Sequence, residues 1–361
     1  MARSDTANRA ETPTGSIEAD PSVGNIRHLA FHHGRRTLAP LHTAPWVNEG
    51  EATFEPTTPP VERKLSGDFF CAPFGASDLI DGPPHGWSAS SAWNPLDAGP
   101  GSLCYRLARD IMGARLTKTL ILAMDAPILY QSHVIEGGTG ALSVAHHPMI
   151  HLSGRGFLSV SQKRLALTPE TPLEPGRHRL ASGERFTDLR ACPATDGGTL
   201  DLTSLPIGDR HEDFITLIEA SSSTLGWSVV IREEEKDLIF VLKNPRTLPV
   251  TMLWHSNAGR DYAPWNGRHT GVLGIEDGRA AGADGHRAST GPNPVSAEGV
   301  PTAFTLGPRH RIAHVLGAIP RPSGWTRVRD ISVAEGRLTL TEERGERVSL
   351  PFDSEFLRED C

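Results

Sequence analysis

Cysteine is scarce: the 361 residues contain four, Cys71, Cys104, Cys192 and Cys361, with no CxxC pair among them. That leaves no disulfide scaffold and no thiolate metal motif, and it suits a reducing compartment, so the cytoplasm is the expected location. Positive charge is also short. Against 43 Asp and Glu stand 36 Lys and Arg, for a formal net charge of −7. No basic stripe awaits a phosphate backbone, and nucleic acid is excluded as an expected partner. No apolar run reaches bilayer length, so no membrane partner is expected, and Met1 to Val23 lacks the apolar core of an export signal. A glycine-rich phosphate loop and a Gly-x-Ser-x-Gly elbow are both missing, which removes most nucleotide and hydrolase chemistry.

Proline and glycine, in contrast, are plentiful, at 29 and 36 residues. Each proline removes a backbone donor and blocks the preceding helical turn, so long helices have little room. From Ile26 to Phe356 short apolar stretches alternate with Gly, Pro and Asp punctuation, the pattern of many strands joined by turns. Arg337 to Thr341 alternates with period two, as a half-buried strand does, and Leu238 to Leu242 is continuously apolar, as a strand covered on both faces is. Leu103, Leu107 and Ile111 carry helical spacing and leave that segment open between helix and strand. Glu233 to Asp237 reads as a solvated turn. Residues 1–22 hold almost no large apolar side chains and are expected to be a disordered tail. No repeat or composition shift divides residues 23–361, so the expected fold class is all-β, a single large sandwich of antiparallel sheets. The stretch 277–300, rich in Gly, Ala, Ser and Asp, is expected as a surface excursion, with a lid as the alternative.

Three separated segments carry proton-handling groups: Pro84-His85-Gly86-Trp87, His146-His147-Pro148 and Gly274-Ile275-Glu276-Asp277. Two imidazoles and a carboxylate are the set that moves a proton off one oxygen and onto another. Around the middle segment, strand alternation puts Leu142, Val144, His146, Ile150 and Leu152 on one face and His147 and His151 on the other. His147 is thereby the better candidate for an open face, although a bulge at Pro148 would shift the register. His32, His33, His146, His147 and His151 are also conceivable metal ligands. A cupin would place a Glu several residues after a His-x-His, and none follows His151, so no metal and no cofactor is expected.

His147-Pro148-Met149-Ile150-His151-Leu152-Ser153-Gly154 resembles the second-histidine segment of the aldose 1-epimerases, or galactose mutarotases. Pro84-His85-Gly86-Trp87 is similar to the His-Gly-aromatic segment of the hexose-6-phosphate mutarotase branch. Leu253 to Asn257, Pro264 to His269 and Gly274 to Glu276 resemble the strand-loop-strand that delivers the family's catalytic glutamate. The resemblance implies a galactose-mutarotase-like supersandwich that binds a small sugar on a concave face. It also implies Glu276 as base for the anomeric hydroxyl, His147 as acid for the ring oxygen and His85 as a hydrogen-bonding partner. Trp87 or Trp265 would be an aromatic platform, and Asn257, Asp261 and Arg268 would bind hydroxyls.

Departures from the family pattern narrow this. The sugar-phosphate branch has an arginine two residues after its His-Gly-aromatic, where this chain has Ser88-Ala89-Ser90, and Arg35, Arg36 and Arg63 are unordered substitutes. An unphosphorylated sugar is therefore expected. The galactose branch has Gly-Gly after its first histidine, where this chain has Gly86-Trp87. The expected function is an aldose 1-epimerase-like isomerase; the alternatives are a non-catalytic sugar-binding protein and a sugar-ring epimerase or lyase on the same fold.

Overall fold

In the computed structural model, residues 8–50 and 54–358 are described. Two large antiparallel sheets dominate, one of nine strands and one of eight, accompanied by sheets of four, three and two strands. The nine-stranded sheet is centred on the long strands Ile128–Leu142 and Phe304–Pro320. The eight-stranded sheet runs inward from Lys163–Leu167 through His211–Glu219 and Val250–Asn257 to Val272–Arg279. Ile215, Leu253, Leu273 and Ile275 of the eight-stranded sheet share one buried cluster with Leu129, Ile239, Val241 and Leu316 of the other. Each such side chain contributes roughly 1.5–3 kcal/mol by leaving water.

The period-two segment forms the strand Arg337–Glu342 and the continuous apolar segment forms the wholly buried strand Asp237–Lys243. Ser102–Leu107 is a strand whose burial alternates, which settles the segment left open between helix and strand. Residues 233–236 turn as expected, but Asp237 is buried and pairs with Arg232 at 2.7 Å.

The expected tail at residues 1–22 requires correction. Residues 1–7 lie outside the described residues, and beyond them Arg9–Thr12 and Gly15–Asp20 form a hairpin in the four-stranded sheet. The apolar side chains there are few, yet Ala10, Ile17 and Ala19 alternate correctly to join Leu29 and Phe31 in the core. The stretch 277–300 is likewise built into the fold. It finishes the strand Val272–Arg279, then forms the short helix Gly285–Thr290, where His286 is buried and placed 2.8 Å from the Ala141 carbonyl.

One local feature positions everything below. The chain from Val144 to His151 makes two three-residue strands, Val144–His146 and Met149–His151, interrupted at His147-Pro148 because proline cannot donate to the ladder. Both pieces pair with Val272–Arg279, Ala145 opposite Gly278 and Met149 opposite Gly274, so the register is kept across the gap. That register sets His147 opposite Glu276.

Candidate active site

Cross-strand neighbours on one face of a sheet stand close enough for their side chains to meet. His147 Nε2 and Glu276 Oε1 are 3.0 Å apart, with both side chains almost wholly buried. Gly274 explains the short reach. It lies two residues before Glu276 on the same face, and a Cβ there would stand 3.0 Å from Glu276 Oε1 and 3.2 Å from Trp254 Cβ. Glu276 Oε2 and His147 Nδ1 have no hydrogen-bond partner, so each member of the pair retains one polar atom for another molecule.

His85 comes from a different part of the chain. Its loop is pinned where Gly86 runs beside Ala72, and Gly86 has φ +74° with the Ala72 carbonyl oxygen only 2.0 Å from where a Cβ would be. Only glycine fits such a close approach at positive φ. His85 itself has φ 62°, its N–H donating to the Gly75 carbonyl at 2.7 Å. Its ring meets His147 edge-on at 5.3 Å, and its Nδ1 lies 3.3 Å from Cys71 Sγ. Burial above all, then His147 and Arg260 nearby, lower the His85 pKa to about 3, which keeps this imidazole neutral. Burial, followed by the Glu276 and Asp68 charges, pushes the Cys71 thiol upward, so it stays protonated.

These groups open onto a cleft of about 270 Å³ whose lining includes Phe69, Phe74, Phe214, Trp254 and Trp265. Phe69 stacks on the His147 ring at 4.4 Å, and Trp254 meets it edge-on at 5.7 Å. Trp254 is held by Glu212, whose carboxylate accepts from the indole N–H at 2.8 Å and from Ser256 at 2.7 Å. The Arg260 guanidinium stands 4.4 Å from the Trp265 ring and its Nε is 2.9 Å from Glu174. Glu62 also lines the cleft, and burial raises its pKa although Arg260 opposes that.

Of the residues singled out in the sequence, His85, His147, Glu276 and Trp265 are together in this cleft. Four others are not among its lining residues. Trp87 donates its indole N–H to the Asp81 carbonyl and stacks under Arg109 at 3.9 Å. Asn257 is used up by backbone, donating to the Gly208 carbonyl at 2.7 Å and accepting from the Gly271 N–H at 3.0 Å. Asp261 pairs with Arg177, and Arg268 pairs with Glu49 at 2.5 Å. Missed in the sequence were Arg260, adjacent to Asp261, along with Glu62, Trp254 and the phenylalanines. Trp254 lies within the glutamate-delivering segment already quoted and stands opposite Gly274 across the sheet, a register the sequence does not show; Phe214 is on the strand His211–Glu219 and Glu62 in the short helix Pro60–Arg63, while Arg260, Phe69 and Phe74 sit on loops without a periodic signal.

No protein-family model matches the sequence, and no curated protein matches it. Solved structures do. A candidate aldose 1-epimerase from Escherichia coli K12 superposes with a TM-score of 0.57 at 15% identity, over 86% of this chain and 98% of that one. A galactose mutarotase related enzyme from Lactobacillus acidophilus gives 0.57 at 12% identity, covering 87% and 98%. A galactose mutarotase-like protein from Lactobacillus casei gives 0.56 at 11%, covering 86% and 99%. With its two large antiparallel sheets and these neighbours, the chain has the galactose-mutarotase-like β-sandwich fold.

Proposed function

We propose that the cleft takes up a small unphosphorylated sugar and interconverts its anomers by ring opening. The observation that carries the reading is the buried His147–Glu276 pair on the cleft wall, with neutral His85 beside it. Glu276 Oε2 takes the proton of the anomeric hydroxyl while protonated His147 gives one to the ring oxygen. The C1–O5 bond breaks, a carbonyl forms at C1, and rotation about C1–C2 presents its other face. In reclosure O5 attacks C1, His147 recovers the O5 proton and Glu276 returns its own to the new hydroxyl, so no proton is consumed. His85, with Nδ1 toward Cys71, offers Nε2 to the ring oxygen or a neighbouring hydroxyl. Trp265 and Trp254 supply apolar surface for the sugar's C–H face. An uncharged substrate is favoured because the arginine of the lining, Arg260, already faces Glu174.

Polarimetry of freshly dissolved α-glucose, α-galactose and a wider sugar panel tests this. Wild type is expected to speed the approach to equilibrium for at least one sugar, and Glu276→Gln to lose about 100- to 10,000-fold of that rate, the usual worth of a positioned acid or base. A second reading, a sugar-binding protein without catalysis, is supported by the direct His147–Glu276 bond, which leaves only Oε2 and Nδ1 for a ligand and which a passive binder would keep. Saturable sugar binding by calorimetry with a rate equal to buffer across the panel would establish that alternative.

A further inference from the structure

His146 and His147 are consecutive, and strand alternation turns them to opposite faces. His147 meets the cleft; His146 enters the space between the two large sheets, where nothing in the sugar chemistry uses it. There Asp68, His146 and His314 each bring one ligand-type atom to within 4.8 Å of the others, all three residues being buried. Both ring nitrogens of His146 and Nδ1 of His314 have no hydrogen-bond partner, and neither has either nitrogen of buried His133 next to them. Each buried polar atom left unsatisfied costs about 1–3 kcal/mol, so a group of five calls for an occupant.

The surroundings are arranged as the outer partners of metal ligands are. His314 Nε2 lies 3.0 Å from Asp277 Oδ2, which fixes the N–H on that nitrogen and leaves Nδ1 with its lone pair. Asp68 is oriented by the His147 N–H at 3.1 Å on one oxygen and by Gln131 at 2.6 Å on the other. His133, stacked on Phe70 at 3.9 Å with its ring 4.9 Å from that of His146, lies beside the group and outside its 4.8 Å span. The opposing charge is Lys118, buried and donating to the Gly24 carbonyl.

We propose that Asp68, His146 and His314 form a buried site for one divalent transition cation of the zinc type, which ties the two large sheets together. Two imidazoles and a carboxylate favour such an ion over magnesium or calcium. Bond lengths of about 2.0–2.2 Å to each ligand require the ligand atoms to be roughly 3–4 Å apart, so the His146 and His314 rings, stacked here at 4.2 Å, turn to aim their nitrogens at one ion. His146 lies on the eight-stranded sheet and His314 on the nine-stranded one, with Asp68 bridged to Ile26 of the four-stranded sheet, so the ion spans the interface. Cupin spacing could not reveal these three ligands, because they are scattered along the chain and only the sheet packing joins them.

The test uses the full chain stripped with a chelator and titrated with Zn²⁺ and with Co²⁺. One ion per chain is expected, with a rise in Tm, visible d–d bands for cobalt, and an affinity at least about 100-fold weaker in His314→Gln. A His32→Asn, His33→Asn double variant, altered outside the cluster, is expected to bind as wild type does. Anomalous scattering from a zinc-grown crystal of the unaltered protein decides the matter even where His314→Gln fails to fold. A peak among Asp68, His146 and His314 supports the site. No stoichiometric uptake at micromolar zinc, a peak elsewhere, or undiminished binding by folded His314→Gln overturns it.

Discussion

Asp213 shows what a buried carboxylate does in this fold. It accepts from the backbone N–H of Leu180 at 2.8 Å and of Arg179 at 2.9 Å, and His211 Nδ1 is 2.7 Å away. Burial alone would raise its pKa; the hydrogen bonds and the His211 charge override that and lower it. A carboxylate held below its unfolded value adds stability that is full above about pH 4 and fades as pH falls through the folded pKa. Asp213→Asn is therefore expected to cost about 1–3 kcal/mol at neutral pH. In urea unfolding the gap between variant and wild type should narrow from pH 5 to pH 3; a gap independent of pH would refute an ionic contribution. At this scale legibility was uneven. His85, His147 and Glu276, which line one cleft, were singled out because each lies in a short motif, but Arg260 and Asp261 are adjacent in sequence and point to different partners, one toward the cleft tryptophans and one to Arg177. Nothing in residue type distinguishes such neighbours on a loop, where no period fixes the face.

The glutamate strand is where sequence and geometry agree most closely. In Gly274-Ile275-Glu276-Asp277, Ile275 packs between the sheets, Asp277 meets Lys243 and His314 there, and Gly274 and Glu276 face the cleft. Alternation with period two makes that division readable once the strand is recognised. The role of Gly274 is not readable from alternation, because it depends on where the Glu276 carboxylate turns. Gly274→Ala is expected to displace Glu276 or Trp254, lowering sugar turnover by more than about tenfold while costing about 1–3 kcal/mol of stability, as overpacking does. Steady-state rates paired with urea unfolding would check it; a fully active Gly274→Ala would show that the carboxylate does not need this space. The break at Pro148 was foreseen as a disturbance of register, and the chain instead resumes pairing in register beyond it. Short apolar alternation at residues 8–20 was overlooked because composition was averaged over a segment whose few apolar residues are correctly spaced.

Across the whole molecule, neutral histidines accumulate in buried positions. His42 and His85 are brought to about 3 and His255 to about 4, in each case chiefly by burial and then by neighbouring positive groups. Unfolded, each would titrate near about 6.5. Between those values the unfolded chain binds more protons, so stability is complete above about pH 6.5 and is lost as pH falls, at about 1.4 kcal/mol per pH unit for each proton taken up. Urea unfolding from pH 7 to pH 4.5 is expected to show a slope of more than one proton; a flat profile would contradict the burial assigned to these rings. The all-β architecture followed from prolines, glycines and alternation, since those are local properties. The union of distant strands into one cleft and of His146, His314 and Asp68 into one interior cluster is set by sheet order, which no local pattern encodes.

Anomer interconversion in this cleft requires that the sugar's reacting carbon sit between Glu276 and His147. A crystal structure of Glu276→Gln with a bound sugar is the sharpest check, since the variant retains the shape of the cleft and halts the reaction. The anomeric hydroxyl is expected within about 3.2 Å of the substituted side chain at position 276, with the ring oxygen beside the His147 imidazole. A sugar bound with its anomeric carbon turned away from both, or bound outside the cleft lined by Trp254 and Trp265, would end the mutarotase reading.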